Sequence, residues 1–400
     1  MEAPPPQRRR ADRRVALATV LREWGRIGVI GFGGPPAHIA LLRKLVVEER
    51  GWLSREEFEA AIAACNLLPG PASTQLAIFC AYRVAGRRGA IVGGLAFIVP
   101  AVITVLALSV LFLGHSPPRV VRGAGLGAGA AVAAVAVSAG LGLLAPSWRR
   151  ALAAGAGRRT RWVGYAVAGA AAAALLGPYL VLVLIGCGLL ELAWVTGPGA
   201  SSPVSSYAAP IVVAAAVAAV GAVGGIGALV WEAFKVGALS YGGGFVIVPL
   251  MQHDAVHTYH WMSSARFLDA VALGQVSPGP VVATVAAVGY AARGIGGGIL
   301  AACVAFAPSF AFVLLGGGQF ERLRGSLRAQ AFLDGAGPAA IGAILGAAIP
   351  LAAALRQSWE FLVLAAATVA LLAARRGVVE TLLGAGVVGV VVALAGGSLS

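Results

Sequence analysis

The sequence predicts an all-α polytopic membrane protein made of two homologous repeats of inverted topology, with broken or re-entrant half-helices. Three observations support this fold class: the chain is apolar, it contains a duplication, and its basic residues are unevenly divided between the copies. Of 400 residues, 59% are hydrophobic and 12% are charged, whereas soluble domains carry about 25% charged residues. The mean hydropathy is +0.87. The stretch 89–113 has no charge and is long enough to cross a bilayer.

Apolar segments succeed one another along the chain, and each one predicts a membrane crossing. The predicted spans are 89–113, 123–146, 162–176, 179–195, 209–228, 295–317, 330–355, 359–374 and 378–396. The first five of these spans lie between the two regions of broken helix. Because five is an odd number of crossings, the second copy is predicted to have the opposite orientation in the membrane. The short spans at 162–176 and 179–195 leave an alternative, a single helical hairpin that does not fully cross.

The duplication appears when the chain is shifted on itself by 209 residues. Positions 21–71 then match the second half without a gap, and after one deleted residue the match continues. The matched pairs include Glu23 with Glu232, Gly28 with Gly237, Trp52 with Trp261, Pro69-Gly70-Pro71 with Pro278-Gly279-Pro280, Gly86 with Gly294, and Pro100 with Pro308. Composition alone does not produce this recurrence. We therefore expect a basic tail at 1–14, an N-terminal repeat at 15–200 and a C-terminal repeat at 201–400.

The basic residues indicate how each copy is oriented. In the first copy 14 precede residue 89, namely Arg8, Arg9, Arg10, Arg13, Arg14, Arg22, Arg26, Arg43, Lys44, Arg50, Arg55, Arg83, Arg87 and Arg88. The matching stretch 209–297 has three, Lys235, Arg266 and Arg293. Because basic loops stay in the cytoplasm, the first set is predicted to be cytoplasmic and the second set external.

The net charge of +14 does not indicate a nucleic-acid-binding protein, because the basic residues sit in short clusters beside apolar runs. The tail 1–14 leads into no apolar core with a cleavage site, as a signal peptide would, since Arg22, Glu23 and Arg26 interrupt the next segment. We expect a multi-pass protein of the inner (plasma) membrane with a cytoplasmic N-terminus. The four cysteines stand singly in apolar stretches, which is typical of packing.

Each copy interrupts its helices twice with glycine and proline. The breaks are Gly33-Gly34-Pro35-Pro36, Pro69-Gly70-Pro71, Gly242-Gly243-Gly244 and Pro278-Gly279-Pro280. Within a membrane, non-helical backbone is tolerated only where it is buried in protein or lines a cavity. A helix that starts at such a break offers unpaired N–H groups and about half a positive charge. The breaks predict an anion site near the midplane, with proline kinks or loops outside the membrane as the alternative.

Hydroxyl and amide side chains stand next to the Pro-Gly-Pro breaks. They are Asn66, Ser73, Thr74 and Gln75 in the first copy and Gln275, Ser277 and Thr284 in the second. Such groups can donate hydrogen bonds to an oxyanion. Helix capping and bonding between helices are the alternative role.

Few charged residues recur in both copies. Glu23 and Arg26 correspond to Glu232 and Lys235, and each pair is spaced to share a helix face. We expect Arg26 or Lys235 to add charge at a substrate site and Glu23 or Glu232 to carry protons, because ionisable residues inside a membrane are functional by default. Asp269 is a further proton-carrying candidate. Salt bridges at the membrane edge are the alternative, especially for the first pair.

No cofactor, metal or enzymatic group is predicted. His253, His257 and His260 lie near Asp254 in what we expect to be a wet loop, where they would bind metal only weakly. The glycines of 123–129 resemble a dinucleotide loop, but no strand precedes them, and close helix packing explains them better. No nucleophile, base and orienting acid group together.

The motifs resemble the chromate ion transporter family over most of the chain. The first copy carries GFGGPPAHIALL and GWLSREEFEAAIAACNLLPGP, and the second carries YGGGF and WMSSARFLDAVALGQVSPGP. The matching motif residues are Phe32, Gly33, Gly34, Pro35, Pro69, Gly70 and Pro71, with Tyr241, Gly242, Gly243, Pro278, Gly279 and Pro280. The second copy departs from the first by having Gly244-Phe245 in place of Pro35-Pro36.

The resemblance implies a two-domain protein that exports chromate from the cytoplasm, is linked to the proton gradient and gives chromate resistance. Sulfate has the same shape and charge and is a second candidate substrate. A carrier of another small anion or organic acid is an alternative of the same class, and a non-transporting membrane assembly protein is one of a different class. The expected partners are the anion, the lipid bilayer and, as one candidate assembly, a second copy in a homodimer, with no nucleic acid.

Overall fold

The structure is a computed structural model that describes residues 15–66, 70–114, 116–176, 179–196, 224–240, 245–316 and 326–399. Within these ranges the regular structure is helical, without a strand. The N-terminal half begins with three short helices that flank the first two breaks. They are α1 (Leu17–Ile30), α2 (Pro35–Arg43) and α3 (Arg55–Cys65).

Five further helices complete the N-terminal half. They are α4 (Ala72–Phe112), α5 (Arg119–Ala130), α6 (Val132–Ala153), α7 (Ala156–Ala171) and α8 (Leu180–Thr196). Helices therefore occupy the predicted spans 89–113, 123–146, 162–176 and 179–195. The span 162–176 is formed by α7 together with the helical turn that follows it, Ala172–Leu176.

The C-terminal half contributes seven helices to the described residues. They are α9 (Gly225–Leu239), α10 (Ile247–Gln252), α11 (Ser264–Val276), α12 (Thr284–Gly316), α13 (Leu327–Ala353), α14 (Ser358–Thr368) and α15 (Val378–Leu394). The four predicted spans from 295 onward coincide with helices α12 to α15. The predicted span 209–228 lies for the most part outside the described residues.

Equivalent serines start α3 and α11. The Ser54 hydroxyl accepts a hydrogen bond from the Glu57 N–H at 3.1 Å, while the Glu57 carboxylate accepts one from the Ser54 N–H at 2.9 Å. Ser263, the counterpart of Ser54, accepts from the N–H of Arg266 at 3.4 Å. These caps satisfy backbone donors that the helices leave unpaired.

Helix α4 folds back on itself at Gly86, which has φ 67° and ψ −160°. A Cβ added to Gly93 would lie 2.5 Å from the Ala81 Cβ, so the half-helix before the break packs along the helix after it. Helix α12 breaks in the same way at Gly294, with φ 63°. Only glycine adopts this backbone conformation readily. The sequence reasoning did not include these two breaks.

The equivalent helices α4 and α12 run in opposite directions. A Cβ on Gly94 would lie 2.5 Å from the Phe310 ring, and one on Gly298 would lie 2.4 Å from the Leu106 side chain. The early part of each helix thus meets the late part of the other. Glycine allows this approach because it has no side chain, as is common between membrane helices.

The outer surface of the bundle is apolar, as a membrane protein requires. In the part of the chain that the structure describes, four helical stretches are long and apolar enough to cross a membrane, namely Ala72–Phe112, Arg119–Ala153, Val281–Gly316 and Leu327–Ala353. Large hydrophobic side chains such as Leu190 and Leu362 are exposed on the helices. Three cysteines, Cys65, Cys80 and Cys187, are buried, as expected for a packing role, whereas Cys303 is exposed on α12 and does not fit that expectation.

Candidate functional site

The first break separates α1 from α2. Helix α1 ends at Ile30, Gly33 and Gly34 adopt φ values of 98° and 71°, and Pro35 occupies the first position of α2. The predicted proline-initiated helix is therefore confirmed. Phe32, in the same break, has a side chain that is 47% exposed.

The second break brings a helix N-terminus into the protein interior. Gly70 has φ 112° and Pro71 caps α4, whose first turn contains the buried residues Ser73, Thr74 and Gln75. Among the described residues, no backbone oxygen accepts from the N–H groups of Gly70, Ala72 or Ser73. An anion can use such donors. Pro69, which was predicted to belong to this site, lies outside the described residues.

The Pro278-Gly279-Pro280 break of the second copy touches the first break of the first copy. Gly279 has φ 91°, and its N–H donates a hydrogen bond to the Gly31 carbonyl oxygen at 2.9 Å. The Val281 side chain, just beyond Pro280, would lie 3.8 Å from a Cβ on Gly34. The predicted residues Tyr241, Gly242 and Gly243, with Gly244, lie outside the described part of the chain.

The Pro-Gly-Pro glycines of the two copies make equivalent contacts across the molecule. A Cβ on Gly70 would lie 3.2 Å from the Gly237 carbonyl oxygen, and one on Gly279 would lie 3.7 Å from the Gly28 carbonyl oxygen. Gly28 and Gly237 are themselves a matched pair. Each Pro-Gly-Pro break therefore packs against the first helix of the other copy.

A cavity of about 670 Å³ reaches the Gly70 break, and we call it the vestibule. Asn66, Gly70 and Ala72 line it beside the break, and Val246 of the second copy lines it as well. Its wall carries Arg150, which has no ion-pair partner among the described residues.

A second arginine of the vestibule wall, Arg158, is neutralised. It contacts Glu191 at 2.7 Å and Asp334 at 2.9 Å, and Glu191 also binds Arg161 at 2.7 Å. Glu191 is fully buried, so this cluster holds α7 against α8. Arg150 is thus the vestibule arginine whose charge is available to an anion.

Several buried polar atoms near the breaks have no hydrogen-bond partner among the described residues. They are the hydroxyl oxygens of Thr74, Ser240 and Ser309 and the amide nitrogen of Gln275. The Ser309 oxygen would lie 3.6 Å from a Cβ on Gly70. A buried polar group without a partner costs about 1–3 kcal/mol, so such groups point to a ligand or another functional role.

Two other predicted side chains of the second copy are already engaged. The Ser277 hydroxyl donates to the Gly274 carbonyl oxygen at 3.0 Å, and the Thr284 hydroxyl donates to the Val281 carbonyl oxygen at 2.7 Å. Both hydroxyls therefore bond to the backbone at the ends of their own helices, which is closer to the alternative role of helix capping than to anion binding.

Lys235 lies between two buried carboxylates. Its ammonium group is 2.6 Å from Glu232 Oε2 and also binds Asp254, whose other oxygen accepts from the Thr258 hydroxyl at 3.2 Å. The side chains of Lys235 and Asp254 are 9% and 5% exposed, and that of Glu232 is fully buried. The ammonium charge expected for a substrate is therefore compensated by two acids in this structure.

The corresponding pair of the first copy is arranged differently. Glu23 binds Arg50 rather than Arg26, and Arg26 is exposed. The shared helix face therefore produces an ion pair within α9 but none within α1. Asp254 does not lie in a wet loop with the histidines, as the sequence predicted. It is buried in a helical turn beside Lys235, whereas His257 is exposed.

Asp269 faces the glycines of α5. A Cβ on Gly125 would lie 2.9 Å from its Oδ1 atom, which is buried and has no hydrogen-bond partner among the described residues. Gly123 and Gly127, on the other side of α5, pack against Gly389 of α15. The prediction that these glycines serve helix packing is confirmed.

Sequence reasoning missed four residues that the structure places at these sites. They are His38, Arg150, Asp254 and Ser309. His38 is a single histidine without a counterpart, because Ile247 stands at the matching position. Ser309 comes directly after Pro308, which is matched with Pro100, and that motif was the available signal.

Comparisons with known proteins identify the family of the chain. Residues 18–192 and 227–390 match the family model described as chromate transporter. A chromate transport protein of Cupriavidus metallidurans is 31% identical over 90% of this chain and 89% of its own length. One of Pseudomonas aeruginosa is 30% identical over 82% and 79%.

More distant relatives carry less specific names. An uncharacterized transporter of Methanocaldococcus jannaschii is 26% identical over 75% of both chains. No solved structure matches the chain significantly. The family model covers most of the sequence, and two chromate transport proteins are 30% and 31% identical to it over most of their length. The chain therefore belongs to the chromate transporter family of membrane proteins.

Proposed function

We propose that this protein carries a tetrahedral oxyanion, first of all chromate, out of the cytoplasm across the inner membrane. The observation that carries the proposal is the meeting of broken helices from both copies, with the N-terminus of α4 lining the vestibule. The names of the relatives support chromate as the substrate. Sulfate has the same shape and charge and is a second substrate of the same site.

We propose that the two repeats, 15–200 and 201–400, have opposite orientations in the membrane, with the N-terminus in the cytoplasm. The excess of basic residues in the first copy supports this. The opposite directions of α4 and α12 support it further, since matched helices of two inverted copies run antiparallel. The two regions of the family match, 18–192 and 227–390, fall within one repeat each.

The anion binds at the Gly70 break. The N–H groups of Gly70, Ala72 and Ser73 donate to its oxygens, and the dipole of the first turn of α4 adds positive potential. The Thr74 and Ser309 hydroxyls, which lack partners among the described residues, supply further donors. Donors of this kind bind a dianion without a permanent charge that would hold it too tightly for release.

Arg150 attracts the anion into the vestibule, because a charged cleft with apolar walls raises the local concentration of its counter-ion. The Gly279 break is the second half-site, and it is closed by the bond to Gly31. Rocking of one repeat against the other would close the first half-site and open the second. This motion gives alternating access.

The membrane potential drives the export of a dianion, with about 2.3 kcal/mol per charge for each 100 mV. The cluster of Glu232, Lys235 and Asp254 is the group we propose for proton coupling, together with Glu23 and Asp269. Protonation of one carboxylate would release part of the Lys235 charge toward the anion. A homodimer is an assembly that this mechanism allows and does not need.

The test is uptake of radiolabelled chromate into inverted membrane vesicles that contain the protein, with and without a proton gradient and with sulfate as competitor. Gradient-dependent accumulation that sulfate reduces is expected. Vesicles with folded protein that accumulate no more chromate than empty vesicles would refute the proposal. Uptake that sulfate does not affect would restrict the site to chromate.

A further inference from the structure

His38 is a buried side chain that touches both half-sites. It lies in α2 with no exposed surface. Its Nδ1 atom is 3.2 Å from the Ser73 hydroxyl oxygen, and its Nε2 atom is 2.9 Å from the Gly31 carbonyl oxygen. The ring stands edge-on to Phe97, with the ring centroids 5.0 Å apart.

These contacts determine the proton positions of the neutral ring. A carbonyl oxygen only accepts, so Nε2 must carry the hydrogen and donate it to Gly31. In the neutral imidazole Nδ1 is then an acceptor, and the Ser73 hydroxyl must donate its hydrogen to it. Neutral His38 therefore directs the hydroxyl hydrogen of Ser73 away from any anion at the start of α4.

Gly31 links the same histidine to the second half-site. Its carbonyl oxygen accepts from His38 Nε2 and from the Gly279 N–H, each at 2.9 Å. Ser73 is adjacent in sequence to Ala72, which lines the vestibule. The ring thus bridges the closed break of the second copy and the open break of the first.

We propose that His38 is a proton-binding residue whose protonation strengthens anion binding at the Gly70 break. A proton from the aqueous phase binds Nδ1, which then donates to the Ser73 oxygen. The Ser73 hydroxyl hydrogen is released from Nδ1, rotates, and donates to an oxygen of the anion. No covalent bond to carbon changes, and the added proton raises the net charge of ring plus dianion from −2 to −1.

No charged side chain substitutes for this role among the described residues. On α2 itself Arg43 pairs with Glu59, and on the elements packed against it Glu23 binds Arg50 and Arg83 binds Glu57. The other charged residues of these elements, Arg22, Arg26, Arg87 and Arg88, are exposed. On the turn directly after α2, Lys44 pairs with Glu49, and Glu48 is exposed. This inference rests on the proposed function, because it concerns affinity at the same anion site.

The test compares the wild type with His38→Gln. Glutamine can donate from Nε2 to Gly31 and accept from Ser73 through Oε1, but it cannot take up a proton. Equilibrium binding of radiolabelled chromate to purified protein is measured from about pH 8 to about pH 6. Chromate itself takes up a proton in this range, so the affinity of each variant is divided by the wild-type affinity at the same pH.

We expect this ratio to fall about tenfold between about pH 8 and about pH 6, the worth of one hydrogen bond to a charged group. His257→Gln, at an exposed histidine, is the control and should give a constant ratio. A constant ratio for His38→Gln as well would overturn the inference while leaving the proposed function intact. No chromate binding by folded wild type would instead refute the proposed function.

A second variant tests the same inference if His38→Gln does not fold. Ser73→Ala retains the histidine but removes the hydroxyl that transmits its protonation. At about pH 6, the chromate affinity of Ser73→Ala should be lower than that of the wild type. At about pH 8, the chromate affinities of Ser73→Ala and His38→Gln should be similar. If Ser73→Ala behaves like the wild type at every pH, the hydroxyl does not couple the ring to the anion and the inference is wrong.

Discussion

The backbone N–H of Gly279 donates a hydrogen bond to the carbonyl oxygen of Gly31 at 2.9 Å. This bond joins the Pro-Gly-Pro break of the second copy to the first break of the first copy. At the matching place on the other side, Gly70 packs beside Gly237 and opens on the vestibule. The two matched Pro-Gly-Pro breaks therefore differ in this structure, and the alternating access that we propose requires such a difference between the two half-sites.

The break at Gly294 provides a test of backbone conformation without steric clash. Its φ is 63° and a Cβ would meet nothing within 4 Å, so Gly294→Ala should cost only backbone strain, about 1–3 kcal/mol. Gly296 lies in the same helix with equal space and an ordinary φ, so Gly296→Ala should be neutral or stabilising. Thermal unfolding of the purified variants measures the difference. Equal melting temperatures would show that the break does not require glycine.

Lys235 should be essential for stability because it neutralises two buried acids. Lys235→Met leaves Glu232 and Asp254 without a cation and should destabilise the protein by about 3–5 kcal/mol. Adding Glu232→Gln and Asp254→Asn should restore much of that stability, and it should reduce the effect of the proton gradient on transport because this cluster can then no longer take up a proton.

The control for Lys235 is the exposed pair of Lys44 and Glu49, which are 3.8 Å apart. Lys44→Ala should cost no more than about 1 kcal/mol. If Lys235→Met is as mild as Lys44→Ala in chemical denaturation, the buried cluster does not contribute as proposed. If transport by the triple variant depends on the gradient as strongly as wild-type transport does, these three groups do not take part in proton coupling.

Two neighbouring arginines test how the anion enters. Arg150→Gln should reduce kcat/KM for chromate several-fold at low ionic strength and less at high salt, because the unpaired charge in the vestibule attracts the anion. Arg149 does not line the vestibule and bonds to the Ala145 carbonyl oxygen, so Arg149→Gln is the matched control. Equal salt-dependent effects of both changes would mean that overall charge, not the vestibule, attracts the substrate.

The helix breaks could be predicted because proline fixes φ and glycine permits backbone conformations that other residues rarely adopt. Gly34 and Pro35 act as that chemistry requires, with Gly34 at φ 71° and Pro35 opening α2. The break at Gly86 could not be predicted in the same way. The glycine stands alone in a helix-forming run, and only packing of the two halves, as at Gly93 and Ala81, stabilises the fold-back.

The candidate site was predicted where it depends on neighbouring residues and missed where it depends on the fold. Ser73 and Thr74 come shortly after Pro71, so their place in the first turn of α4 was predictable. Asp254 is 19 residues from its partner Lys235, and a single sequence contains no record of that contact. The contact of His38 with Ser73 likewise exists only because α2 packs against α4, so the sequence alone could not predict it.

The Gly70 break gives the most direct test of the central claim that the anion binds where a broken helix begins. Gly70→Ala forces φ 112° on a residue with a side chain, and its Cβ would lie 2.7 Å from the Gln75 amide nitrogen. Chromate uptake by proteoliposomes should be compared for wild type, Gly70→Ala and Gly296→Ala, each normalised to folded protein. We predict that Gly296→Ala transports like the wild type and that Gly70→Ala loses at least about tenfold, as expected when donors to a bound anion are displaced. Wild-type uptake by folded Gly70→Ala protein would contradict the account.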